Sequence, residues 1–267
     1  MLVGEWELWQ LALIFLSGLW AGTINTVVGS GTLVTFPVLV SMGMNPVNAV
    51  VSNAMGLVAG GFSGAYGYRE ELKTVPRTFL RLLPASLVGG LCGAALLLNV
   101  PDDVFDWVAP ALIVFALVLV IFQPRLSAAV KARAGSTQLR TPDHQQLSPL
   151  LYVLVFLTGI YGGFFTAAQG VILFAIFGVM LFGSLQQSNA LKVVLTLVVN
   201  VVAALSYLVF AWDRISWPVV LMVAAGSTVG GWIGGRVGRK LSPAVLRGTI
   251  VLIGLVAVVS MGYKLFA

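Results

Sequence analysis

Residues 8–68 contain no Asp, Glu, Lys, Arg or His. A transmembrane helix needs about 20 apolar residues, so this one run must hold several membrane-buried elements. The rest of the chain agrees. Hydrophobic residues make up 59% of the 267 residues and charged residues 9%, where a soluble domain carries roughly 25% charged. The lipid bilayer is therefore the first partner this sequence implies. Thirty glycines suit the close helix approach that lipid rewards. The net charge of +6 is no nucleic-acid signature, because the basic residues sit at helix ends and in loops, where they orient a membrane chain. One cysteine, Cys92, and one histidine, His144, build neither an intrachain disulfide nor a metal cluster, and no cofactor is implied. The opening Met-Leu-Val-Gly-Glu-Trp-Glu is acidic, unlike the basic start of a cleavable signal.

Ten apolar segments follow from the breaks: 8–28, 33–42, 46–68, 78–99, 104–122, 149–168, 171–182, 186–211, 218–235 and 244–265. The second and seventh are too short to span a bilayer at 1.5 Å per residue. Residues 123–148 are the only long polar stretch and read as a solvated, flexible linker. The expected organisation is a first membrane repeat over 1–122, a linker over 123–148 and a second repeat over 149–267. Trp6, Trp9, Trp107, Trp212 and Trp217 fall near segment ends and read as interfacial anchors.

The halves are related. Gly18, Gly22 and Gly29 match Gly159, Gly163 and Gly170 at an offset of 141, and Val88-Gly-Gly-x-x-Gly93 matches Val229-Gly-Gly-x-x-Gly234 at the same offset. Between these blocks the second half is shorter by about three residues, which sets Ala54 opposite Lys192. Placing the 69–81 loop in the cytoplasm puts every Lys and Arg except Arg214, Lys264 and Lys192 on that side, as positive-inside orientation requires. Both termini then lie outside and the linker inside. The expected fold is an all-α membrane protein of two inverted-topology helical repeats, each a broken or re-entrant hairpin followed by three transmembrane helices.

Between His144 and Trp212 the only charged residue is Lys192. A lone ammonium in so apolar a run is costly in lipid and marks a functional site by default, although a lysine near a helix start can also snorkel to the headgroups. Helix breaks at Gly29-Ser-Gly-Thr32 and at Gln169-Gly170 free backbone N–H groups within the membrane, which is tolerated only beside protein or a cavity. Such N–H groups at a helix start favour an anion. The candidate substrate site is therefore Lys192 with Ser30, Gly31, Thr32, Gln169 and Gly170, joined by the polar side chains Asn25, Ser52, Asn53, Ser188, Asn189 and Asn200. Glycines here can instead serve packing, Ser52, Ser188 and Thr196 can bond their own helix backbone, and the asparagines can tie helices together. No carboxylate is expected in the apolar core, so proton coupling would fall to Lys192 or to the substrate. No nucleophile–base or metal set is present, so the chain does not read as an enzyme.

The stretch Gly18-Leu-Trp-Ala-Gly-Thr-Ile-Asn-Thr-Val-Val-Gly-Ser-Gly-Thr-Leu-Val-Thr-Phe-Pro-Val-Leu39, then Asn-Pro-Val-Asn-Ala-Val-Val-Ser-Asn53, resembles the opening of the TauE/SafE family of sulfite and sulfonate permeases. Asn189-Ala-Leu-Lys192 is similar to the second copy of that pattern, Ala-Thr-Ser-Lys. Ser52-Asn53 stands where the family has Thr-Ser, and Ala190-Leu191 precedes the lysine. The resemblance spans essentially the whole chain. It implies a transporter in the bacterial cytoplasmic membrane that carries a small sulfur-containing anion, sulfite or an organosulfonate, often as an exporter. The alternative is a non-transporting membrane subunit or assembly factor. The sequence leaves homo-oligomerisation open.

Overall fold

A computed structural model describes residues 6–134, 142–237 and 243–266. Arg140, Arg239 and Lys240, which the charge pattern sets on the basic side, lie outside these. The described residues form helices α1 (Leu8–Val27), α2 (Thr32–Ser41), α3 (Pro46–Gly67), the short α4 (Arg69–Leu72), α5 (Pro76–Asn99), α6 (Asp102–Ala134), α7 (Pro149–Phe164), α8 (Gln169–Met180), α9 (Leu185–Phe210), α10 (Trp217–Val237) and α11 (Pro243–Phe266). Local chemistry sets their ends. Asn45 accepts from the N–H groups of Val47 and Asn48 ahead of Pro46, Ser148 caps α7, and Ser184 with Gln187 forms a capping box on α9, each satisfying helix-start donors. Six helices, α1, α5, α6, α9, α10 and α11, are long and apolar enough to cross a membrane. The ten residues of α2 and twelve of α8 are not.

The bundle has two ends. At one, Asn45 and Arg214 both bond Asp102, and Trp9, Trp107 and Trp212 stand exposed. At the other lie Arg69, Lys73, Arg77 and Arg81, with Gln187 donating to Thr74 and Gln145 to the carbonyl of Met180. We call these the Asp102 end and the basic end. The α1–α2 hairpin starts and finishes at the Asp102 end, since Trp6 and Met42 border one cavity there. The α7–α8 hairpin starts and finishes at the basic end, where Gln145 meets Met180 and Phe182. Each short helix therefore returns towards the end its hairpin came from.

The halves interlock. α1 packs along α10, while its sequence counterpart α7 packs along α5; α3 lies against α9, and α6 against α11. Glycine allows this. A Cβ at Gly22 would sit 2.3 Å from the carbonyl oxygen of Ser227, and one at Gly163 would sit 2.3 Å from that of Gly90. Backbone approach this close maximises dispersion contact, the main attraction left between helices in lipid.

The linker departs from expectation. α6 continues through Pro124 to Ala134, since residues 125–134 are rich in helix formers; the apolar part of the helix ends near Arg125, and the helix runs on past it. Pro142–His144 form a 3-10 turn that docks on α5. The Asp143 carboxylate accepts from Thr78 N at 2.8 Å, Thr78 Oγ1 at 2.9 Å and Arg77 N at 3.2 Å, so it caps α5 from 65 residues away. Burial alone would raise this carboxyl's pKa, but the Thr78 and Arg77 donors and the Arg77 charge outweigh it and hold the pKa below the ordinary value. A carboxyl depressed on folding stabilises fully above its unfolded pKa, and that contribution disappears as pH falls through the folded one. Asp143→Ala is therefore expected to cost about 1 kcal/mol near neutral pH, the scale of a lost cap. The difference should shrink in acid. Melting curves of both proteins from pH 7 to pH 3 check this; a constant offset would rule out the charge as its source.

Candidate functional site

The two helix breaks touch. α1 ends on Gly29, at φ +97°, a backbone that glycine adopts freely and other residues resist. Its carbonyl accepts from Gly170 N at 3.1 Å. A Cβ on Gly29 would come within 2.7 Å of Gly170 Cα, and one on Gly170 within 2.6 Å of Gly29 Cα. These are the glycines that the repeat pairs by sequence. The second break lies slightly earlier than the sequence suggests. Thr166 and Ala168 take positive φ, +65° and +59°, and Gln169 and Gly170 already form the first turn of α8. Left-handed backbone at two non-glycine residues costs roughly 1–3 kcal/mol each, and the sequence pattern of a break, which looks for glycine, misses it.

Lys192 is buried, 1% exposed. Its Nζ donates to the carbonyls of Thr26 at 3.2 Å and Val27 at 3.4 Å, the last turn of α1 before the break. The ammonium thus sits at the negative end of that helix, deep in the bundle, and the snorkelling geometry is not what the structure shows. An ammonium has three donors, and these carbonyls take two. Lys192, Thr196 and Asn200 recur every four residues and share one stripe of α9. On one side of the stripe, Leu195 and Val199 bear on α5, through Ser86 and Gly90; on the other, Leu197 bears on Gly61 of α3.

Several buried polar groups here have no partner among the described residues: Ser30 Oγ, both atoms of the Gln169 amide, Thr196 Oγ1 and both atoms of the Asn200 amide. Ser30 and Gln169 flank the Gly29–Gly170 contact; Thr196 and Asn200 lie one and two turns beyond Lys192. A buried polar group without a partner costs about 1–3 kcal/mol, so each of these groups points to a polar ligand or water.

Other candidates are engaged elsewhere. The Asn53 amide donates to Thr32 Oγ1 at 3.2 Å and accepts from Thr35 Oγ1, which fixes α2 against α3. Ser52 Oγ accepts from Ser216 N at 3.0 Å, serving the approach to α10. The Gly170 N–H is taken by Gly29 O. Gly31 begins the α2 turn against Ala21 and half-buried Asn25, and Ser188 is buried on α9. Asn189 borders a cavity of about 420 Å³ at the basic end, with Val27, Val28, Gln123, Gln186 and Arg247. A cavity of about 410 Å³ at the Asp102 end is bordered by Asn45, Asn48 and Arg214. Sequence reading missed Gln123 and Arg247, because both sit at the margin of an apolar segment, where polar residues are ordinary.

The family model described as sulfite exporter TauE/SafE matches residues 14–261. The chain belongs to that family. It is 25% identical to a probable membrane transporter protein of Haemophilus influenzae, over 95% of this chain and 94% of the relative. It is 24% identical to the probable membrane transporter protein YfcA of Escherichia coli K12, over 92% and 87%, and 23% identical to the probable membrane transporter protein ORF9 of a Sinorhizobium species, over 92% and 89%. No solved structure matches it. As a TauE/SafE member the protein is a multi-pass membrane transporter, and the joined breaks and Lys192 fall inside the matched region.

Proposed function

We propose that the protein moves a small sulfur-containing anion, sulfite or an organosulfonate, out across the bacterial cytoplasmic membrane. The substrate sits where the breaks meet, with Lys192 supplying its countercharge and Ser30 and Gln169 its polar contacts, while Thr196 and Asn200 continue the polar path along α9. The observation that carries this reading is a buried ammonium of α9 bonded to the end of α1 at its break, on a helix stripe with polar groups that have no partner among the described residues. Asn25, Gly31 and Thr32 line the same break. Cavities at both ends, with α2 running between Val28 and Met42, suit alternating access from either side. The basic end faces the cytoplasm on this reading, by the positive-inside rule, and the two halves move as inverted repeats.

Purified protein in liposomes loaded with labelled sulfite should release it well above protein-free vesicles, with unlabelled sulfite competing. Absence of flux, together with a stoichiometric protein partner on purification from the membrane, would replace this reading with that of a non-transporting subunit.

A further inference from the structure

The polar stripe of α9 does not stop at Lys192. Gln186, Asn189, Lys192, Thr196 and Asn200 follow at spacings of three and four, so they line one side of the helix over roughly 21 Å at 1.5 Å per residue. Its lower end opens on the cavity at the basic end. There Gln186 and Asn189 face Arg247, from the first turns of α11, and Gln123 of α6. Arg247 is half-buried, and among the described residues no carboxylate pairs with it. Gln123 is 7% exposed. Its Nε2 donates to Val28 O at 3.2 Å, which fixes the amide beside the break, while its Oε1 is buried without a partner. The cavity thus joins a guanidinium with no paired carboxylate among the described residues to polar side chains of two other helices, α6 and α9, and it borders the same turn of α1 that Lys192 caps.

We infer that this cavity is a second anion site, placed ahead of Lys192 on one route, in which Arg247 receives a small oxyanion and the α9 stripe passes it inward. This rests on the transport reading but concerns different residues. Arg247 holds the anion by its planar fork of donors, which matches two oxygens at once. Gln186 and Asn189 supply amide N–H groups, and the Gln123 oxygen accepts from a protonated oxyanion such as hydrogen sulfite. Two sites in series keep each one weak enough to release its ion while the pair attracts it from solution.

Sulfite flux in liposomes and calorimetric titration of the detergent-purified protein with sulfite test this together. Arg247→Gln should raise the half-saturating sulfite concentration roughly fivefold, the equivalent of one partly screened charge contact, while maximal flux stays within about twofold. Arg247→Lys should recover most of the loss. Lys192→Met, with no flux, should still bind sulfite, and adding Arg247→Gln should remove that binding. Unchanged half-saturation and binding in Arg247→Gln would overturn the second site and leave the transport reading standing. Loss of all binding in Lys192→Met alone would overturn it too. Wild-type protein that binds sulfite without moving it would remove the transport reading, and the Arg247→Gln titration would still decide the site. Wild-type protein that does neither would end both.

Discussion

Lys192→Met should abolish anion flux while leaving the helical fold in place. Methionine matches the length of the lysine stem, so packing in the α9 stripe survives. What goes is the charge and two hydrogen bonds, to Thr26 O and Val27 O. A hydrogen bond to a charged group is worth about 1.5–3 kcal/mol, so substrate affinity should fall roughly 10- to 100-fold from one lost contact. Losing the one fully buried cation among the described residues adds to that. The helix-end carbonyls left without a donor cost a further ~1–3 kcal/mol of stability, which a lower melting temperature would register. Lys192→Arg is the informative companion: it keeps the charge with a bulkier, planar head and should retain partial flux. Initial rates of sulfite efflux, with circular dichroism as the fold check, decide the matter. Wild-type rates in Lys192→Met would remove this residue from the site.

The second large effect concerns the joint between the breaks. Gly170→Ala places a methyl 2.6 Å from Gly29 Cα, where only backbone can yield. Overpacking of this kind costs typically 1–3 kcal/mol, and the Gly170 N–H to Gly29 O bond is expected to be displaced with it. Gly29→Ala should be worse, because φ +97° adds a backbone penalty of about 1–2 kcal/mol. Both variants should melt several degrees lower and lose flux. Gly262→Ala is the control, since nothing lies within 4 Å of its Cβ position; helix propensity makes it neutral or slightly stabilising. Equal melting temperatures for Gly170→Ala and wild type would mean that the joint opens freely.

Much of this was legible in residue order, for identifiable reasons. Charge-free runs and glycine breaks mark helices in lipid, and α1, α2, α3 and α5 begin and end within two residues of the segments so drawn. The isolation of Lys192 was plain, and its burial follows. Which group receives its protons was not, because Thr26 and Lys192 are 166 residues apart and carbonyls leave no trace in side-chain sequence. The second break shifted because Thr166 and Ala168 carry the unusual backbone while Gly170 next to them supplies only closeness. Asp143 was hidden by its setting: a carboxylate in a polar stretch looks solvated until its fold brings Thr78 beside it. Asn53, a plausible ligand by type, is held by Thr32 and Thr35 one helix away, and sequence patterns do not report such pairings.

The crossed pairing of α1 with α10 and α7 with α5 bears on how the chain is made. Domains emerging from the ribosome usually settle in order, amino end first. Here α1 enters the bilayer some 190 residues before its chief neighbour is synthesised. Its glycine-studded face must wait among acyl chains until translation nears completion. Assembly of this transporter is therefore a late, concerted event, and a chain stalled midway leaves both of its first hairpin's long-range partners unborn.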